Sequence, residues 1–487
     1  MSRDELIALV AVQTARIAQL EAANDDLAGR LARVEHLLSR NSQNSSSPPS
    51  RDDDPGKPGP SPGRRGGQGS RKRGKQNGAP GFHLAWTDSP HERTDRFPQG
   101  ACECGTDLAG AADLGVVDRY QQHEIPQVSV RITQYDQHAV RCGCGRTHTA
   151  ARPDGARCGP VGYGPNLQAF TIYLMVVHAL PAHRCVALLE SLTGAAPSVG
   201  FVHGLLSRAA TLLTRVHQRI RGLITLAYAV SCDETPLRVG SRFPRPGKKK
   251  AEKYLLVACT DLYTHYLLGD RSLATFKASV LADLTADTVI VHDRYQNYDS
   301  AELGPLLHQL CCAHLCRDLT DAAQVFPDQV WPTQIADALR GLIHQANLAR
   351  QKGHAAIPAE IADPLVDLFR QGVLVGLSAT TTPGTQPGQR KARLLLETLH
   401  DREADVLRFV NDLNVPPTSN QAERDLRPAK LQQNISGRLT SEKRTQDRYV
   451  IRGYLSTAAK HGHDVMTATK QAIIGQPWMP PVPPAPA

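Results

Sequence analysis

The residues in this chain best suited to chemistry are acids placed where secondary structure ends. Asp293 closes the run Asp287-Thr288-Val289-Ile290-Val291-His292-Asp293, whose consecutive β-branched residues Val289, Ile290 and Val291 predict a short buried strand. Burying a strand that ends on a carboxylate is costly unless the charge meets an open edge or a cation. The C-terminal end of a core strand is also where α/β folds place their chemistry, although a lone Asp there can equally cap the next element. Asp233 ends a second predicted strand, Ala229–Pro236, and because strand side chains alternate, Asp233 and Glu234 cannot both point into one site. Glu423 falls on a helix predicted to begin after Pro416-Pro417, with Thr418 and Gln421 spaced as a capping box. Asn420, Glu423 and Arg427 share one face of that helix, which Pro428 is expected to kink or end. Three converging acids repel one another unless divalent cations bind between them. Mg²⁺ favours a few carboxylates with water and phosphate oxygens, and two such ions about 3.5–4 Å apart serve phosphodiester chemistry. Asp261, Asp270, Asp299, Glu397 and Asp401 are further acids that could contribute.

A second set of chemically able residues is sulfur. Cys102-Glu103-Cys104-Gly105 and Cys142-Gly143-Cys144-Gly145 can supply four thiolates to a tetrahedral zinc ion. The gap within each pair is one residue instead of two, so His148 or Cys158 could replace a member, and a reduced, metal-free module is the alternative. Eleven cysteines, an odd number and mostly in close pairs, argue for thiols and metal ligands over disulfides. Cys311, Cys312 and His314 fit packing or positioning better than ligation of Mg²⁺, a hard ion that avoids thiolates.

The elements that must position these groups emerge from composition and periodicity. A mixed sheet in an α/β layer is predicted from the strand at 229–236, a hairpin of Lys253–Cys259 and His265–Leu268, an amphipathic helix over Leu273–Leu284, and the strand ending at Asp293. Leu310–Leu315 adds a fifth strand or begins a helix. The core's first part spans 227–316, an all-helical insertion 317–415, and its last part with the Glu423 helix 416–475. A Pro-rich tail, 476–487, carries no readable signal. Upstream, 159–226 is helical, and Ser198 is the expected cap of the second helix of a possible helix-turn-helix; a plain core hairpin reads the same way. The Cys-rich module occupies 90–158.

The first 89 residues are of another kind. Residues 1–40 read as a coiled coil: with d at Leu6, Gln13, Leu20, Leu27 and Val34, and a at Val10, Ile17, Asn24, Leu31 and Leu38, eight of ten seam positions are apolar. A homodimer or higher oligomer is the expected result. Residues 41–89 are Ser, Pro, Gly and basic residues with almost nothing to bury, and should be disordered when free. Between Lys57 and Lys75 there are seven cations, among them Arg64, Arg65, Arg71, Lys72 and Arg73, and no acid. Such a block favours a polyanion, most often nucleic acid, though a solvated linker is the bland alternative. Overall, 56 Lys and Arg against 47 Asp and Glu give a net charge of +9. The apolar run from Phe170 to Val177 is too short to span a bilayer, and the N-terminus shows no secretory pattern, so a soluble intracellular protein with no membrane partner is expected.

Several stretches, taken in order, carry a resemblance. They are Asn41–Ser50, the cysteine module with Glu124-Ile-Pro126, Tyr163-Gly-Pro165, Cys232-Asp-Glu-Thr-Pro236, and His292-Asp-Arg-Tyr-Gln-Asn-Tyr298. Cys312-Ala-His314, Asn420-Gln-Ala-Glu-Arg424 with Arg427-Pro428, and Ser436-Gly437 complete the set. Together they resemble the transposases of the insertion-sequence-66 family, bacterial DDE recombinases with an RNase H-like core. The resemblance implies that Asp233, Asp293 and Glu423 are the catalytic triad holding two Mg²⁺ ions, with Mn²⁺ as a possible substitute. It implies cleavage at the ends of an insertion sequence in double-stranded DNA, then attack of the freed 3′-OH on target DNA. Arg424 and Arg427 are then phosphate contacts. Accessory proteins of the same element are expected partners, and the bacterial cytoplasm, with nucleoid association when DNA-bound, the expected location. The C-x-C pairs depart from the C-x-x-C of many relatives. A catalytically inactive or repurposed DNA-binding protein derived from a transposase is the alternative, and a stand-alone nuclease a third reading.

Overall fold

The computed structural model of the chain describes residues 84–482, apart from 127, 153–158, 160, 242, 244–252 and 382–386, together with Ile17. The expected coiled coil, apart from Ile17, and the basic arm with Arg64, Arg65, Arg71, Lys72 and Arg73 lie outside the described residues, as does Cys158. The chain divides into two units, Pro62–Arg131, and Met1–Ser61 with Ile132–Ala487.

Among the described residues of the smaller unit none is fully buried, and its one helical turn is the 3₁₀ segment Leu108–Gly110. Its best-defined feature is a knuckle at the first cysteine pair. The amide of Cys102 donates to the Thr106 carbonyl and that of Gly105 to the Cys102 carbonyl, both at 2.8 Å. Gly105 supplies the positive φ of 88° that the turn requires.

The larger unit begins with a second knuckle of the same pattern, carried by a small hairpin of β1 (Ala139–Arg141) and β2 (Thr147–Thr149). Cys142 N donates to Arg146 O and Gly145 N to Cys142 O, again at 2.8 Å, with Gly145 at φ 84°. Four helices come next: α1 (Pro165–Ile172), α2 (Ala182–Thr193), α3 (Val199–Leu212) and α4 (Thr214–Ile224). A π-helical turn, Tyr173–Val177, extends α1, and the carbonyls it releases are taken up by Arg448 at Met175 and Arg452 at Val176. Ser198 caps α3 as expected, its hydroxyl accepting from Phe201 N at 3.1 Å. Val202, Leu205, Leu206, Ala209 and Ala210 of α3 are buried in the core, which leaves its ends as the open part of this helix.

A five-stranded mixed sheet lies at the centre. Its strands are β3 (Ala229–Leu237), β4 (Lys253–Cys259), β5 (Thr264–Gly269), β6 (Val289–His292) and β7 (Leu307–Leu310), in the order β5-β4-β3-β6-β7. The pairs β3/β4 and β4/β5 are antiparallel, while β3/β6 and β6/β7 are parallel. Side chains alternate between the two faces of the sheet, which three apolar clusters cover. Val230, Cys232, Leu256, Ala258 and Ile290 face the layer shared with the upstream helices. Val289 and Val291 face a second layer, and Leu255, Val257 and Cys259 a third. The predicted helix over Leu273–Leu284 is shorter than expected, ending as α5 (Leu273–Ser279) before a 3₁₀ turn at Leu281–Asp283. Leu310–Leu315 is both things the sequence allowed: β7 ends at Leu310 and α6 (Cys312–Val325) starts two residues on.

Next come α7 (Trp331–Gln351), α8 (Ala359–Ala379), α9 (Pro387–Asp401) and α10 (Glu403–Asn411), whose Trp331, Leu339, Phe369 and Leu396 share one apolar cluster with Val289 and Val291 of the sheet. The chain then returns to the sheet with α11 (Asn420–Ser436), α12 (Glu442–Lys460) and α13 (Val465–Ile473). On α11 one local expectation is narrowed and another fails. The helix runs through Pro428 without ending. Burial of Ala422, Leu426 and Ala429 against the sheet offsets the roughly 3 kcal/mol that an interior proline costs. The Thr418 capping box is also absent: Ser419 is the N-cap and makes no side-chain cap bond, while its amide donates to Cys311 Sγ at 3.2 Å. The Pro-rich tail is anchored in its first part. Pro480 O accepts from Arg219 Nε, Pro481 O from the Tyr263 hydroxyl, each at 2.7 Å, and Trp478 packs on His461 and His463.

Candidate active site

The register of the sheet brings the first two acids together. β3 and β6 pair in parallel at Ala229↔Val289, Val230↔Ile290 and Ser231↔Val291. The pairing ends there, and Asp233 and Asp293 each follow two residues beyond its last pair, on neighbouring strands. Asp293 lies just past the end of β6, and its Oδ1 accepts from Tyr295 N at 2.8 Å, fixing the turn that leaves the strand. Asp233 Oδ1 accepts from the amide of Glu234 at 2.8 Å. The third acid arrives on another element: Glu423 sits in the first turn of α11.

Burial and neighbouring charge act differently on Asp233 and Glu423. Burial pushes the Asp233 carboxyl up to about 8; the negative charges of Glu234, Asp293 and Glu423 push the same way, and His314 opposes them. Glu423 behaves differently. Burial alone would raise it, but Arg317, His314 and Lys430 outweigh that and hold it below the usual range. Arg317 on α6 forks onto it, with Nη1 to Oε1 at 3.1 Å and Nη2 to Oε2 at 3.3 Å, and His314 Nε2 stands 3.5 Å from Oε1. Residues 314 and 317 are one helical turn apart, so α6 presents both cations from one face.

His314 is itself held by its surroundings. Burial works against a charged ring, yet the Cys311 sulfur, Asp233 and Glu423 outweigh it and raise the imidazole to about 10. Burial likewise opposes ionisation of Cys311, and His314 with the Ser419 amide brings it down to about 7. Cys311 is therefore an acceptor joining the start of α6 to the start of α11. Cys312 N adds a second tie, donating to Pro417 O at 3.0 Å. Cys312 itself turns into the apolar layer.

Glu234 points to the opposite face from Asp233, as strand alternation requires. Its side chain is only 2% exposed and is held by Arg271. Arg271 donates to Oε1 from Nε at 2.9 Å and from Nη2 at 2.5 Å, and Tyr298 O–H donates to Oε2 at 2.9 Å. The guanidinium lies 3.6 Å from the Tyr295 ring centroid, and its own carbonyl accepts from Asn297 Nδ2 at 3.1 Å. The segment after Asp293 is thus tied to the residue after Asp233. Arg294, next to Asp293, pairs with Asp318 of α6 at 2.5 Å, and Lys391 of α9 reaches the same carboxylate at 2.7 Å.

Arg424 and Arg427 stand exposed on α11, with Arg424 Nη2 donating to Gln421 Oε1 at 2.7 Å. The cysteine pairs are each held in their own knuckle, Cys102 and Cys104 in the smaller unit and Cys142 and Cys144 in the larger, and all four are exposed free thiols. The Thr106 hydroxyl lowers Cys104 to about 7, and Cys144 lowers Cys142. Sequence reasoning missed Arg317 and Arg271. The i, i+3 step from His314 was a readable signal for the first; nothing local pointed to the second, which reaches its partner across 37 residues.

A model of the Transposase IS66 family matches residues 161–447. The chain belongs to that family. A family of unknown function matches residues 2–85, and no curated protein matches the chain. The match to the transposase family spans α1 to the first turns of α12, so all three acids and both cations of α6 lie inside it. No helix among the described residues is long and apolar enough to cross a membrane.

Proposed function

We propose that this transposase is a DDE-type DNA recombinase whose triad is Asp233, Asp293 and Glu423 on an RNase H-like core. The observation that carries the reading is that Asp233 and Asp293 each follow two residues after the last pair of the parallel β3/β6 register, while Glu423 is held by Arg317 and His314 of the helix that follows β7. The sheet order, three antiparallel strands and then two parallel ones, supports the fold assignment. All three acids offer hard oxygen donors, and an ion beside Asp233 would offset the burial and the neighbouring acids that raise its carboxyl, so the residues fit Mg²⁺ or Mn²⁺. Asp233 and Asp293 would be shared ligands and Glu423 would complete one ion's shell; when bound, two such ions activate a nucleophilic oxygen and stabilise the attacking and leaving oxygens of a phosphodiester.

The chain's own residues then have defined tasks. Arg317 and His314 keep Glu423 ionised and aimed, and their positive charge favours a phosphate at the same place. The Arg271 clamp fixes the Asp293 turn relative to Asp233. Arg424 and Arg427 lie on the exposed side of the Glu423 helix, where they can take backbone phosphates of element ends or target DNA. The basic arm with Arg64, Arg65, Arg71, Lys72 and Arg73 would add sequence-independent, salt-dependent affinity. Within each unit the knuckle presents a thiol pair, Cys102 with Cys104 and Cys142 with Cys144, whose sulfurs suit zinc. Dimerisation through the N-terminal coiled coil would pair two element ends, with accessory proteins of the element as further partners in the bacterial cytoplasm.

Asp293→Asn removes one ligand charge while keeping the Oδ1 acceptor for Tyr295 N. Mg²⁺-dependent nicking of DNA carrying the element's terminal repeats should fall at least about a thousandfold, roughly the 4 kcal/mol that a lost charge-stabilising contact can cost, with an unchanged circular dichroism spectrum. Wild-type cutting by that variant would remove Asp293 from the triad.

A further inference from the structure

We propose that His292, His308 and Asp299 form a separate metal site, for Zn²⁺ or a similar nitrogen-seeking transition ion, braced against the backbone of Asp293. One ligand atom from each residue lies within 4.8 Å of the others. The tautomer of His292 is fixed by its surroundings: Nδ1 faces the carbonyl oxygen of Asp293, which can only accept, so Nδ1 carries the proton. Its Nε2 is therefore a lone-pair atom, and it points at His308 Nδ1, 2.9 Å away. His308 Nδ1 lies 3.7 Å from Asp299 Oδ1. An imidazole that donates its other N–H to a backbone carbonyl is the arrangement in which metal-binding histidines are usually held. Two imidazoles and a carboxylate are a zinc-type donor set and a poor one for Mg²⁺, which separates this site from the acid triad.

Burial matches the purpose. His292 is fully enclosed, His308 is partly exposed and Asp299 stands at the surface, so an ion could enter from one side and keep a solvent ligand. Arg402 Nη1 lies 2.9 Å from Asp299 Oδ1 and 3.0 Å from Oδ2. A carboxylate has about four lone-pair positions, so it can ligate an ion while still accepting from the guanidinium. Arg402 is anchored in turn on Asp405 at 2.9 Å and acts as the carboxylate's outer partner. The site joins the end of β6, the 3₁₀ turn Gln296–Asp299 and β7, and through the His292–Asp293 contact it would stiffen the backbone that presents the triad's second acid.

The test is a difference in metal content of the full-length protein, dialysed against Zn²⁺ and measured by mass spectrometry. Zinc bound by the cysteine knuckles is common to all variants and cancels. His308→Ala should hold about one zinc fewer than wild type. Asp299→Asn, which preserves shape and is the deciding variant if His308→Ala does not fold, should bind that zinc about tenfold or more weakly in chelator competition. Equal zinc content and affinity in wild type and Asp299→Asn would overturn the proposal. Neither readout uses DNA cleavage, so a failure here leaves the triad assignment standing, and the reverse.

Discussion

Replacing Asp233 by Asn should make the metal-free protein more stable while abolishing its chemistry. The folded carboxyl is raised from 3.8 to about 8 by burial and by the acids around it. A carboxyl raised on folding binds its proton more tightly in the native state, so native stability is greatest below the unfolded value and declines as pH rises through the folded one. At pH 7 the unfolded chain has released this proton and the folded chain retains it. About 1.4 kcal/mol per pH unit over the roughly three units from 3.8 to 7 sets a ceiling of about 4 kcal/mol on what the carboxyl costs. Asp233 is half-buried, and water screens part of that, so about 2 kcal/mol is the expected gain for Asp233→Asn at pH 7. Towards pH 4 the gain should shrink to a few tenths of a kcal/mol, because the unfolded wild-type chain then keeps its proton nearly half the time. Urea unfolding of the core in the presence of a chelator, at pH 4, 5.5 and 7, measures the difference directly. Mg²⁺ should then stabilise wild type and leave Asp233→Asn unaffected, by mass action on the folded state alone. A variant no more stable than wild type at pH 7, or a gain that does not shrink towards pH 4, would refute the crowding of acids on which the site is read.

The partners of the acids give two further expected outcomes. Arg271→Met strands the nearly inaccessible Glu234 carboxylate and should cost about 2–4 kcal/mol in denaturant unfolding, whereas Glu234→Gln leaves a guanidinium that solvent can reach and should cost about 1 kcal/mol; the double variant should recover part of the loss, and strictly additive costs would mean that the clamp is not coupled. Arg317→Ala removes the fork on Glu423 but lies on a partly exposed helix face, so stability should change by less than about 1 kcal/mol while strand cleavage falls about tenfold or more at fixed Mg²⁺. Arg317→Lys should restore only part of that rate, since an ammonium cannot reproduce the two-pronged contact.

Much of this protein was determined by short-range chemistry and was readable from the chain alone. The β-branched run Val289-Ile290-Val291 is a buried strand, the 253–259 and 265–268 segments form a hairpin, Ser198 caps its helix, and Glu234 turns away from Asp233. Each depends on a period of two, a cap or a turn residue, which are properties of neighbouring residues. The family assignment was readable for the same reason, since it rests on short motifs in a fixed order.

What the tertiary structure alone decided is who meets whom. Pro428 does not end its helix, because Ala422, Leu426 and Ala429 of that helix are buried against the sheet and offset one missing hydrogen bond. The Pro-rich tail is anchored by Arg219, Tyr263 and Trp478, contacts that no composition encodes. Arg317 and His314 reach Glu423 across more than a hundred residues, and Arg271 reaches Glu234 across 37. The placement of Asp233 beside Asp293 belongs to the register of two parallel strands, which a connection of many residues leaves open until the sheet closes. Sequence therefore determined which residues could carry charge, caps and strands. Only the closed sheet, by burying acids together and lending them distant cations, decided which of them form a site.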